Sequence, residues 1–145
     1  LHDRVALAVA AMWQETLGVR AGLRSEDFRV LKAAIDAREA LVFRASWIGD
    51  YNDPYSFLQV LKSGFGINLP RYASAAYDAE LVAASSATGA DRSAHLAAAE
   101  RQLLADVPVI PLYFYVAKHL VAPRVGGWYG NVMNVTYSKD LRVTP

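Results

Sequence analysis

The chain has 145 residues, of which 54% are hydrophobic and 20% are charged, so its composition excludes an intrinsically disordered protein and allows a sizeable core. Its formal net charge is +1 and its 15 basic residues are scattered, which argues against nucleic-acid binding. The absence of cysteine excludes disulfides and thiol catalysis, and no apolar run approaches the roughly 20 residues of a membrane span.

The start of the sequence indicates that the chain comes from inside a longer protein. Its first residue is leucine rather than methionine, and no basic segment followed by an apolar one precedes the first helical pattern. We therefore expect the chain to be a fragment.

The first predicted elements are two helices separated by a short strand. Hydrophobic residues recur at helical spacing over residues 3–17, with Asp3 as the expected N-cap and Gly18 as the left-handed residue that ends the helix. Residues 19–23 alternate as a strand does. Ser25 is expected to cap the second helix. The apolar stripe of that helix consists of Phe28, Leu31 and Ile35.

The next elements predict an α/β layer. Residues 41–47 form a nearly continuous apolar run, which is typical of a strand buried on both faces. Helix, strand, helix and strand in that order, with short connections, predict parallel pairing. Pro54 stands at the first turn of a third helix, which Ser63 and Gly64 are expected to end.

Two further helices follow in the alanine-rich part of the chain. Residues 77–87 have a helical pattern, and the break after them contains a glycine. Asp91 is expected to cap a longer helix that runs to about residue 104.

The C-terminal part of the chain is the most β-prone. Residues 109–121 are rich in β-branched and aromatic side chains, while Pro108 and Pro111 confine the start of this strand to a sheet edge or an extended connection. Residues 132–143 form a weakly patterned tail that could add one more strand.

Residues 44–54 concentrate aromatic and acidic side chains at the end of a predicted strand, where side chains often enter a cleft. Asp53 precedes a proline and is most simply an N-cap. Asp50 is not in a position to cap the helix, so it is either an exposed loop carboxylate or the counter-charge for a cationic group of a ligand. In the second case, the rings of Trp47 and Tyr51 would exclude water and strengthen the pairing.

No arrangement of residues favours catalysis. Asp50 and Asp53 offer the two carboxylates that a glycosidase needs, but they are one turn apart and lack a second element facing them across a substrate. His2, His95 and His119 show no metal-ligand spacing, and the sequence contains no nucleophile or phosphate-loop motif. We therefore expect no enzymatic activity, no cofactor and no metal.

Several separated motifs resemble the periplasmic oligopeptide-binding proteins, the large solute-binding proteins that serve peptide ABC transporters. The first is WIGDYNDP at residues 47–54. The others, in the same order as in the family, are PVIPLYFYV at 108–116, LVAP at 120–123, VGG at 125–127 and YSKDL at 137–141. The opening residues 1–19 also fit the family, so the resemblance covers essentially the whole chain.

The resemblance implies an α/β fold, namely the C-terminal lobe of a two-lobed periplasmic-binding-protein fold of the type II kind, with a mixed sheet flanked by helices. Residues 1–106 would belong to this ligand-binding lobe, which is only partly present. Residues 107–145 would form a strand that crosses the hinge and a tail that returns to the N-terminal lobe. The resemblance also implies a periplasmic protein whose signal peptide lies outside this chain.

The resemblance further implies a set of ligand-binding residues. Asp50 matches the aspartate that pairs with the α-ammonium group of a bound peptide. Trp47, Ile48 and Gly49 match the segment that runs beside the peptide and offers backbone hydrogen bonds.

Three other residues match family positions that contact the ligand. Arg44 matches an arginine that can meet the peptide carboxylate for some ligand lengths. Tyr115 matches a pocket tyrosine on the crossing strand, and Phe28 falls where relatives can carry a pocket tryptophan.

The implied function is capture of oligopeptides in extended form for import, with the peptide and, through the longer protein, a membrane permease as partners. Within the same family the alternatives are murein peptides, nickel complexes or haem. A carbohydrate-active enzyme domain is the alternative from another class. No nucleic-acid partner is expected, and self-association of the fragment is expected because a missing lobe would leave apolar surface uncovered.

Overall fold

The structure is a computed structural model that describes residues 2–131 and 133–144. The first residue of the chain and the first residue of the predicted tail, Val132, lie outside the described residues. The chain divides into two compact units, Leu1–Ser46 and Trp47–Pro145, which are taken one at a time. In the part of the chain that the structure covers, no helix is both long enough and apolar enough to cross a membrane.

The first unit begins with helix α1, His2–Leu17. Gly18 ends it with a φ of 69°, which confirms the predicted left-handed residue. The predicted N-cap role of Asp3 is wrong, because Asp3 lies within the first helical turn, where a carboxylate still complements the helix dipole. The Ser25 hydroxyl donates to the Asp3 carboxylate over 3.5 Å.

Helix α2, Phe28–Asp36, is capped by Asp27 rather than by Ser25. The Asp27 carboxylate accepts the N–H of Arg29 at 2.9 Å, so one of the unpaired amides at the helix start is satisfied. The predicted cap was wrong because two residues of cap-forming type stand only two positions apart. Of the predicted stripe, Ile35 is buried, whereas Phe28 is exposed.

The second unit is built on helices α3, Tyr55–Leu58, α4, Ala75–Ser86, and α5, Gly89–Asp106. A 3₁₀ turn, Gln59–Leu61, continues α3. Helices α4 and α5 form a hairpin whose facing sides pack against each other. Both alanine-rich helices are thus confirmed, although α5 begins at Gly89, which places Asp91 in its first turn instead of at its cap. The core consists of Leu58, Leu61, Tyr77, Leu81, Ala84, Leu96, Ala99 and Leu103.

Polar groups fix the connection between α3 and α4 to this core. The buried Tyr77 hydroxyl donates to the Leu58 carbonyl at 2.5 Å, and burial raises the pKa of that phenol well above its usual value. Asn68 is also buried; its amide donates to the carbonyl of Tyr72 at 2.7 Å and accepts the Tyr72 N–H at 3.1 Å. The loop between the helices is therefore ordered by its own hydrogen bonds.

The sheet is much smaller than predicted. Strand β1, Val125–Gly126, pairs antiparallel with β2, Arg142–Val143, which confirms that the tail adds a strand. The mixed sheet with parallel pairing is wrong for this chain, because residues 19–23, 41–47 and 109–121 join no ladder among the described residues.

The predicted strands form no ladders because they have no neighbouring strands to pair with among the described residues. A strand is stable only when a neighbour takes up its backbone N–H and C=O groups. Residues 111–120 are exposed throughout, and Phe114 retains 99% of its accessible surface. Leu41, predicted to be buried, is also exposed. The chain is consequently helix-rich, with β-prone segments that belong to no strand among the described residues.

Candidate functional site

The predicted ligand segment forms a loop, residues 47–54, that closes onto the first turn of α3. The indole N–H of Trp47 donates to the Ser56 carbonyl at 2.9 Å. The N–H of Ser56 in turn donates to the Asp53 carbonyl at 3.0 Å. Both ends of the loop are therefore attached to the same residue of the helix.

Ser56 also fixes the middle of the loop. Its side chain is fully buried, and its hydroxyl accepts the backbone N–H of Asp50 at 2.8 Å. Sequence reasoning missed Ser56. The available signal was a small polar residue within the otherwise apolar helix YSFL, since a buried hydroxyl needs a hydrogen-bond partner.

Gly49 lies where the loop backbone comes close to the Phe57 side chain of α3. A Cβ atom at this position would stand 2.9 Å from two ring carbons of Phe57 and 3.2 Å from the Tyr51 carbonyl oxygen. A larger residue at this position would have to displace the Phe57 ring, and the constraint is this lack of space, because the φ of Gly49 is not in the left-handed region. The Gly49 backbone therefore lies close to the Phe57 ring.

The two acids of the loop have different surroundings. The Asp53 carboxylate accepts the N–H of Tyr55 at 2.8 Å, which confirms its predicted capping role. It also forms a bidentate salt bridge with Arg92 on α5, at 2.8 and 2.9 Å. The carboxylate of Asp50 is exposed and has no hydrogen-bond or salt-bridge partner within residues 2–131 and 133–144.

The Arg92 guanidinium, with help from the Tyr55 N–H, holds the pKa of the Asp53 carboxyl below its usual value, although partial desolvation opposes the shift. The stability that this shift contributes is present above the unfolded-state pKa, about 3.9, and is lost as the pH falls through the lower folded-state pKa. Asp53→Asn, which keeps a capping oxygen, should therefore lose less stability than the wild type between about pH 6 and about pH 3.

Urea denaturation midpoints at the two pH values measure this difference. Part of the acid sensitivity should remain in the variant, because the Tyr72 hydroxyl and the Gln102 amide lower the pKa of Asp106 as well. Equal losses of stability in the variant and the wild type would contradict the assigned role of the Asp53 pair.

The structure places the remaining predicted site residues as follows. Trp47, Ile48, Gly49 and Asp50 share the loop just described, and Tyr115 is an exposed residue of the unpaired segment in the same unit. Phe28, at the start of α2, and Arg44, after it, are exposed residues of the other unit, Leu1–Ser46. Four of the seven residues are thus brought together by one loop.

Histidines and acids elsewhere make structural contacts. His95 on α5 contacts Glu80 on α4 at 2.7 Å, and His119 contacts the Asn134 side chain at 2.7 Å. Among the residues that the structure covers, no three histidine, aspartate or glutamate side chains are grouped so that they could hold a metal ion.

Comparison with known proteins extends the resemblance. No protein-family model matches the chain. It is 37% identical to the periplasmic murein peptide-binding protein MppA of Escherichia coli K12, and the match covers 98% of the chain and 27% of that protein. It is 38% identical to the periplasmic oligopeptide-binding protein OppA of Salmonella typhimurium LT2, over 99% of the chain and 27% of OppA.

The chain belongs to the periplasmic oligopeptide-binding protein family. It spans about a quarter of the length of these family members, and the matched region lies in their C-terminal part. A solved structure of the family, Haemophilus influenzae OppA in complex with the peptide RPPGFSPFR, superimposes with a TM-score of 0.86 at 31% identity, covering 98% of the chain and 28% of OppA.

Proposed function

We propose that this chain is part of the solute-binding component of an ABC transporter that captures oligopeptides in extended form for import, and that Asp50 binds the peptide α-ammonium group. The protein would act in the periplasm, as its relatives do by name. The observation that carries the proposal is an exposed, unpaired carboxylate on a loop whose backbone is fixed by the buried Ser56.

The chemistry of an amino terminus suits this loop. A bound ammonium group loses water when a site closes over it, and the loss is costly unless an anion takes the place of the water. A carboxylate held by a rigid backbone serves this purpose without first having to be ordered. Trp47 of the same loop is 39% exposed, and an ammonium group bound over its ring would gain a cation–π contribution of about 0.5–2 kcal/mol.

Other loop residues suit recognition of a peptide main chain. Ile48 and Gly49 immediately precede Asp50, so their backbone groups belong to the same loop as the exposed carboxylate. Binding through backbone hydrogen bonds gives affinity with little sequence preference. The whole protein is proposed to be a binding protein rather than an enzyme, and to deliver its peptide to a membrane permease.

The remaining proposed roles lie outside the loop. Arg44 would meet the peptide carboxylate for some ligand lengths, because its guanidinium can form a bidentate pair with a carboxylate. Tyr115 and Phe28 would line pockets for peptide side chains. Their exposure supports these roles, since side chains that contact a ligand must be free of the core.

Residues 1–106 are proposed to form part of a C-terminal lobe of a two-lobed α/β fold, and residues 107–145 to cross a hinge and return to the other lobe. The unpaired segment 111–120 supports this division, because its exposed apolar side chains and free backbone groups suit pairing with strands contributed from elsewhere in a longer protein.

The test is isothermal titration calorimetry on the complete protein encoded around this sequence. A tripeptide such as Ala-Ala-Ala should bind, its N-acetylated form should not, and Asp50→Ala should weaken binding more than tenfold, or more than about 1.4 kcal/mol. Glu100→Ala is the matched control, because it removes an exposed carboxylate from α5. Equal affinities for Asp50→Ala and Glu100→Ala would overturn the anchoring role.

A further inference from the structure

Arg92 connects the loop to a distant part of the chain. It lies on α5, 39 residues from Asp53, and both of its terminal nitrogens contact the Asp53 carboxylate. The two side chains remain 29% and 27% exposed, so the pair lies at the surface of the unit, in contact with solvent. A bidentate geometry of this kind fixes orientation as well as charge.

The salt bridge changes the charge that the loop presents. The loop carries two acids three positions apart, and both are attached to the first turn of α3. Asp50 is attached through its backbone N–H, and Asp53 is attached through its side chain. Arg92 compensates the charge of Asp53, while Asp50 has no cationic partner among the residues that the structure describes. The loop therefore offers a ligand one uncompensated negative charge in place of two.

We propose that Arg92 is a specificity-determining residue that neutralises Asp53 and thereby limits the loop to one cationic group of the ligand. This inference rests on the proposed function. Peptides are then selected by their α-ammonium group at Asp50, and a basic side chain near the amino terminus gains nothing from the second acid. Such neutrality suits a binding protein that accepts peptides of many sequences.

The expected effect is moderate because the two acids are not adjacent. Three residues span at most about 10–11 Å between Cα atoms, which is close to the screening length of about 8 Å at physiological salt. An uncompensated Asp53 should therefore attract a second cationic group of the ligand by about three- to tenfold in affinity at low ionic strength. The attraction should fade as salt is added.

The experiment compares Lys-Ala-Ala with Met-Ala-Ala, which has a side chain of similar length without the charge, by calorimetry on the complete protein at low salt. Arg92→Met should raise the preference for the lysyl peptide about three- to tenfold over that of the wild type. Arg101→Met is the matched control, because it removes an exposed arginine from the same helix and should leave the preference unchanged.

Two further variants separate charge from structure. Asp53→Asn combined with Arg92→Met removes both charges and should restore the wild-type preference, although it also lacks the salt bridge. Arg92→Lys keeps the positive charge and should also stay near the wild-type preference. If Arg92 only holds the loop in place, the single and the double variant should lose the same affinity for both peptides. Neither variant should then show a raised preference for the lysyl peptide.

Each outcome decides a different claim. If the wild type binds both peptides and Arg92→Met shows the same preference as Arg101→Met, the inference about Arg92 is overturned and the proposed function stands. If the double variant keeps the raised lysine preference, the cause is not Asp53 and the inference is again overturned. If the wild type binds neither peptide, the proposed function itself fails, and the role of Arg92 in specificity fails with it.

Discussion

Leu81→Ala should lower the free energy of unfolding by about 2–5 kcal/mol, because it opens a cavity where α4 packs against α5. Leu81 is fully buried and belongs to the same core as Leu96 and Ala99 of the facing helix. The cost combines the lost transfer of apolar surface with the contacts that neighbouring side chains lose around the void.

The matched control is Val82→Ala, one residue along the same helix. Val82 is 54% exposed, so its truncation should cost less than about 1 kcal/mol and should slightly favour the helix. Equilibrium urea denaturation of both variants measures the difference. Similar losses for the two variants would contradict the assignment of the α4–α5 contact as the core of this unit.

Gly127→Ala is the second substitution with a large expected effect, because it should break the pairing of β1 with β2. Gly127 has a φ of 79°, and a Cβ atom added there would overlap the carbonyl oxygen of Asp140. The obstacle is backbone rather than a movable side chain, so relief requires the two segments to separate. The strain of the left-handed conformation adds about 1–2 kcal/mol.

Gly64→Ala separates these two causes. Gly64 has a similar φ of 73°, but an added Cβ atom would meet nothing within 4 Å. It should therefore cost only the conformational strain, about 1–2 kcal/mol, and leave the strands paired. Hydrogen exchange of the Thr144 amide, which donates to the Arg124 carbonyl at 2.9 Å, reports the pairing. Unchanged protection of Thr144 in Gly127→Ala would refute the account.

Local patterns in the sequence predicted the parts of the fold that depend on local interactions. The period of apolar residues identified α4 and α5, Gly18 ended α1, and the proline after Asp53 identified that residue as a cap. Cap position was less certain, as Ser25 and Asp27 show, because both residue types can accept the same amide.

The strands could not be predicted in the same way, because β propensity describes a residue and a ladder requires a partner. Residues 109–121 have the composition of a strand, yet they pair with no neighbour in the described part of the chain. The same holds for residues 41–47. The composition is consistent with strands whose neighbours belong to a longer protein, as the partial coverage of the relatives indicates.

The candidate site also has features that the sequence predicted and features that it did not. The segment around Asp50 was identified by its resemblance to a family, whereas the only sequence signal for its contact with Ser56 was a small polar residue in an otherwise apolar helix. Arg92 could not, because a salt bridge over 39 residues depends on how α5 packs beside the loop. Because of that packing, Asp53 has a cationic partner and Asp50 has none among the described residues. The sequence of the motif alone does not predict this difference.

We propose that the loop of residues 47–54 binds the amino terminus of a peptide in the complete protein. Mass spectrometry of the ligand released from the purified complete protein tests it most directly. We predict a mixture of short peptides with free amino termini, which should be depleted in protein that carries Asp50→Ala. A haem group, a nickel complex or peptides with blocked amino termini, bound equally by the wild type and the variant, would contradict the claim.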